Sequence, residues 1–121
     1  MNQPKHDLPE RTFNFARHIV HLCQMLDQTP GVSRMLANQL LRSGTSIGAN
    51  VEEAQAGQSR PDFINKLFIA CKEARETHYW LRLVAATDLI PEPRLTELLE
   101  EANQLIAILT TVIRRTKEGK E

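Results

Sequence analysis

Ser43-Gly44-Thr45-Ser46-Ile47-Gly48-Ala49-Asn50 is built from poor helix formers, yet it lies in the middle of a stretch whose apolar residues recur at helical spacing. At about 100° per residue, Val32, Leu36, Leu40, Ser43, Ile47, Asn50, Val51 and Ala54 share one face, which reads as a core stripe. Each glycine inside a helix costs up to about 1 kcal/mol relative to alanine, so Gly44 and Gly48 need a reason to be there. Close packing supplies one: Ser43, Gly44, Gly48 and Ala49 would let a neighbouring helix approach. A phosphate-cradling loop is the rival reading. It fails because the run has neither GxxxxGKS/T nor GxGxxG spacing and follows a helix-forming segment rather than a strand. Asn50 falls on the apolar side, where an amide must find partners or cost a few kcal/mol. The expectation is a bond to Ser46, to another helix or to a helix end, fixing register as a buried polar residue does in coiled coils. Ser43, Ser46, Ile47, Gly48 and Asn50 are therefore the structural motif of the chain.

Outward from this stretch, turn residues divide the 121 residues into four periodic segments, over about 9–27, 30–57, 60–89 and 93–116. Pro9 and Glu10 open the first. Thr29-Pro30-Gly31 breaks the chain and offers Thr29 as an N-cap with Pro30 at the first helical position. Gly57 closes the second, and Ser59 with Asp62 three residues later resembles a capping box for the third. Pro91 and Pro93 separate the last two helices, and KEGKE ends the chain as a charged tail. No alternating β pattern and no repeat period emerges. The reading is a single all-α domain over 1–121, an antiparallel up-down four-helix bundle.

Fifteen basic and fifteen acidic residues give zero formal net charge, which argues against a strongly electrostatic partner. No apolar run approaches the roughly 20 residues that cross a bilayer, and MNQPKHDLPE has no apolar signal core, so no membrane association and a cytoplasmic location are expected. Cys23 and Cys71 are far apart and read as buried thiols rather than as a disulfide or a zinc site.

The third segment is apolar on two sides. Phe63, Leu67, Ala70, Ala74, Leu81, Val84 and Ala85 form one stripe, while Phe68, Ile69, Tyr79, Trp80 and Leu83 spread over the other. A second aromatic face is too large for solvent on a small monomer. It predicts a homo-oligomer with Leu41, Phe68, Ile69, Tyr79, Trp80 and Leu83 as interface residues, and Ile108 as weaker support.

Catalytic readings find little footing. Di-iron bundles need Glu-x-x-His pairs, and no Glu here is followed by His three residues later. His18 and His21 fall beside Asn14, Arg17 and Gln24 on a polar arc and read as surface histidines. His78 lies toward the apolar stripe with Cys71 nearby, and reads as a hydrogen-bonded core or interface residue. The expectation is a non-enzymatic protein with no catalytic triad, metal or cofactor.

Arg42-Ser43-Gly44-Thr45-Ser46-Ile47-Gly48-Ala49-Asn50-Val51-Glu52-Glu53, then Phe63, then Lys72-Glu73-Ala74-Arg75-Glu76-Thr77-His78-Tyr79-Trp80-Leu81-Arg82-Leu83, resembles the bacterial S23-like bundle proteins named for reading frames in 23S rRNA intervening sequences. The likeness runs from about Glu10 to Arg115. Many relatives carry an NIAEG ending where this chain reads Asn50-Val51-Glu52-Glu53-Ala54. The resemblance implies an antiparallel four-helix bundle assembled as a ring-like homopentamer. The two-sided apolar pattern itself is read as that of a homo-oligomeric scaffold or adaptor that organises a protein partner. A more distant likeness to the accessory protein of diversity-generating retroelements implies a second class of function, nucleic-acid binding beside a reverse transcriptase. In that reading Arg42, Lys66, Arg75, Arg82, Arg114, Arg115 and Lys117 are the contact candidates, repeated around a ring. As solvated helix faces, the same residues would pair with acidic neighbours such as Glu73 and Glu76.

Overall fold

A computed structural model describes residues 7–119. Within them the chain forms α1 (Leu8–Leu26), α2 (Val32–Gln55), α3 (Arg60–Ala86) and α4 (Glu92–Lys117), with no strand among the described residues.

Local chemistry sets the ends. Asp7 caps α1 by accepting from the Glu10 amide, with Pro9 in the first turn. Ser59 caps α3 through its Oγ, 3.3 Å from the Asp62 amide. Replacing Ser59 with alanine is expected to remove about 1 kcal/mol, as N-cap truncations do; a urea midpoint equal to that of the unaltered chain would contradict the cap. The start of α2 departs from the expectation at Thr29 and Pro30. Gly31 has φ +93°, a left-handed conformation that no helical residue adopts, so Thr29 and Pro30 stay in the turn and α2 begins only at Val32. Further on, α3 stops at Ala86 rather than near 89, because Asp88 turns left-handed (φ 61°) while the Asp88 and Leu89 amides fold back onto the Ala85 and Val84 carbonyls. Pro91 precedes α4 and Pro93 sits in its first turn, where a missing amide hydrogen costs nothing.

Consecutive helices pack against one another through long seams. Along α1 and α2 the partners run in opposite directions, Thr12 beside Gly48, Ile19 beside Gly44 and Cys23 bonded to the Ala37 carbonyl, which makes the pair antiparallel. The same holds for α3 and α4, where Phe68 lies beneath Lys117 and Cys71 beside Thr110. The core they enclose contains Phe15, Ile19, Leu40, Ile47, Leu67, Leu81, Leu105 and Leu109.

Gly44 and Gly48 explain their own presence. A Cβ on Gly48 would stand 3.3 Å from the carbonyl carbon and oxygen of Thr12, and one on Gly44 would stand 2.8 Å from Ile19 Cγ2. Both glycines therefore serve the seam with α1. Two expectations for α2 are corrected: Val32, placed in the core stripe, is exposed because it opens the helix, and Ala49, placed with the close-packing residues, faces solvent. Ser43 belongs to the other side of α2, where its hydroxyl lies 2.9 Å from that of the buried Thr77 on α3. Thr77 also bonds to the Glu73 carbonyl at 2.8 Å, so this polar pair is satisfied inside the core. Asn50 donates to the carbonyl and hydroxyl oxygens of Ser46, at 2.9 and 3.1 Å.

The fourth seam is different. α1 and α4 scarcely touch, and a groove of about 660 Å³ runs between them over Phe15, Leu22 and Leu98. Arg11 bridges it, bonding to both Glu101 carboxylate oxygens (2.7 and 3.1 Å) and to Gln104 (2.9 Å).

Candidate functional site

The periodicity of α3 distributes its outer residues over two stripes. One flanks α2 and carries Ile69, Glu73, Glu76, Trp80 and Leu83, all half-buried. The other points outward and carries Phe68, Lys72, Arg75, Tyr79 and Arg82, all exposed. The sequence pattern had merged the apolar members of both into a single face.

On the flanking stripe, Trp80 packs against the core and donates its Nε1 hydrogen to Glu76 at 2.9 Å. Arg42 reaches across from α2 to Glu73 (3.2 Å) and Glu76. The guanidinium thereby pairs with both acids of α3's middle and offsets one of their two charges. The antiparallel register set by Ser43 opposite Thr77 then brings the start of α2 to the end of α3, with Met35 level with Ala85 and Val32 just past the last residue, Ala86. Val32 and Met35 are 69% and 68% exposed. Half-buried Leu36 on α2 and Trp80 and Leu83 on α3 belong to the same end of the helix pair; the sequence pattern places Val32 in the core stripe and passes over Met35.

On the outward stripe, Phe68 and Tyr79 are 59% and 52% exposed. Tyr79 meets Trp80 edge-on, ring centroids 5.1 Å apart. Lys117 Nζ lies 5.8 Å from the Phe68 ring centre.

The remaining candidates scatter. Leu41 lies on the far side of α2, in a shallow groove against α1 with Val20, Gln24 and Asn38. Ile108 is half-buried against the core. Lys66 is half-buried near the start of α3, and Arg114 and Arg115 are exposed in the last turns of α4, where cations favour the helix dipole.

Titratable groups elsewhere are held as structure. Burial, then the Asp27 charge, pushes the Cys23 thiol up to about 11, and its Sγ donates to the Ala37 carbonyl at 3.3 Å. Partial burial, then neighbouring Arg82, lowers the pKa of His78. His18 and His21 line the α1–α4 groove with Arg94 and Glu97. Among the described residues no three His, Cys, Asp or Glu side chains are grouped to hold a metal, and no buried side-chain nitrogen or oxygen lacks a hydrogen-bond partner. No helix among them is long and apolar enough to cross a membrane.

The fold and its surfaces thus define an all-α four-helix protein with exposed apolar residues at one end of the α2–α3 pair and a cationic, aromatic outer stripe on α3. The model of the 23S rRNA-intervening sequence protein family matches residues 5–111, and the chain belongs to that family. Among solved structures, it is similar to a protein of unknown function from the S23 ribosomal protein family of Bacteroides thetaiotaomicron. The two share 42% identity over 88% of this chain and 97% of that one, with a TM-score of 0.81. No curated protein matches the chain.

Proposed function

We propose that this protein is a non-enzymatic, self-associating scaffold, its copies joined through the apolar patch of Val32, Met35, Trp80 and Leu83 into a ring-like homopentamer that presents repeated surfaces to a protein partner. The observation that carries the reading is the exposure of Val32 and Met35 at the end of the α2–α3 pair that also carries half-buried Trp80 and Leu83. Large apolar side chains grouped in this way are a common mark of protein interfaces. Five copies is the number implied by the likeness to S23-type bundles.

Light scattering after size exclusion tests both parts. The expected mass is five times the 13.8 kDa protomer. Trp80→Glu is expected to dissociate the ring, because a charge enters the interface without a partner. Trp80 also packs on the core, so Met35→Glu is the cleaner variant: it should yield 13.8 kDa protomers of unchanged helicity. A single 13.8 kDa species from the unaltered chain at micromolar concentration would refute self-association, and an unshifted mass for Met35→Glu would remove this patch from the interface.

A further inference from the structure

Phe68, Lys72, Arg75, Tyr79 and Arg82 are spaced four, three, four and three residues apart, which aligns them in one straight row along α3. The row spans about 21 Å at 1.5 Å per residue. Every member is exposed, and no acidic residue interrupts it. The nearest acids on the helix, Glu73 and Glu76, are turned toward α2 and engaged by Arg42. Among the described residues, Lys72, Arg75 and Arg82 form no salt bridge, and Lys117 of α4 adds a fourth cation above Phe68. A chain with zero net charge has thus gathered cations without salt bridges along a row that carries two exposed rings.

We propose that this row is a binding site for a single-stranded nucleic acid, with Phe68 and Tyr79 stacking on bases while Lys72, Arg75, Arg82 and Lys117 meet phosphates. Alternation of rings and cations is what a strand with unpaired bases requires: base stacking is tolerant of sequence, and the backbone follows the positive charge. A duplex hides its base faces, so the two rings would gain nothing from it. The row borders the proposed self-association patch where Tyr79 meets Trp80 edge-on, so the mass of each variant is read together with its binding.

Fluorescence anisotropy of a labelled 15-nucleotide mixed-sequence RNA, alone and annealed to its complement, tests the site on the full chain. The single strand should bind more tightly than the duplex. The logarithmic salt slope should be about −3 for a strand along one row, since each of the four cations contributes roughly 0.7. Arg75→Gln should flatten that slope by about 0.7. Tyr79→Ala should weaken binding about tenfold with the slope retained, and Tyr79→Phe should restore it. Scattering mass and helicity should be the same for all variants. The proposal is overturned by no binding at low salt, by equal affinity for duplex or for poly-glutamate, or by insensitivity to Tyr79→Ala. A change of mass in Tyr79→Ala would also overturn it, marking the row as a contact between copies.

Discussion

Phe15→Ala should lower the stability of the bundle by about 3 to 5 kcal/mol, the range seen when a large aromatic is deleted from a core. Phe15 is 1% exposed and is the largest side chain that α1 buries. Its position sharpens the expectation. The ring lines the floor of the α1–α4 groove, so water can enter the space it vacates, and the lower end of the range is favoured. Phe13, two residues away and 59% exposed, is the control; its alanine variant should change stability by no more than about 0.5 kcal/mol. Urea unfolding followed by helicity would decide the matter. Equal midpoints for the two variants would mean that α1 is not held by this ring.

Gly48→Leu should cost about 1 to 3 kcal/mol. Overpacking a tight contact costs about 1 to 3 kcal/mol and sometimes more, and here the obstacle is the Thr12 backbone, which cannot rotate aside. Loss of glycine's poor helix propensity returns up to about 1 kcal/mol. The balance is a fall in thermal midpoint of roughly 10 °C for a domain of this size. Gly48→Ala separates the two effects. Its Cβ needs only a few tenths of an ångström, so propensity and crowding nearly cancel and the midpoint should stay close to that of the parent. A leucine variant as stable as the parent would show that the glycine is not there to seat α1.

Much of this fold was legible in the sequence because its signals are local. Ser59 with Asp62, the proline positions and the 3.6-residue apolar period act within one or two turns, and they located four helices to within a few residues. The start of α2 was misplaced because it depends on a backbone torsion: Gly31 adopts a left-handed φ that its neighbours Thr29 and Pro30 do not reveal. Gly44 and Gly48 announced a close approach, but which helix comes close is a tertiary fact, and it is α1. The surface was harder to read. A helical wheel of α3 shows Phe68, Ile69, Tyr79, Trp80 and Leu83 outside the core, yet only the placement of α2 separates Trp80, resting on Glu76 and the core, from the more exposed Phe68 and Tyr79. In the same way Arg42 looks like any exposed cation until Glu73 and Glu76 are seen beneath it. Lys72 becomes conspicuous only once those acids are accounted for.

The open seam between α1 and α4 bears on how the chain reaches this structure. Every extensive helix contact joins neighbours in sequence, whereas α1 against α4 is the pairing that would demand closure of the longest loop. Because loop closure must be met before distant contacts repay it, a topology built from neighbouring hairpins lies at the rapid end of folding rates. Each helical hairpin can zip onto the one before it without first bringing the two ends of the chain together. The Arg11 bridge to Glu101 and Gln104 then closes as a latch on a bundle that is already assembled.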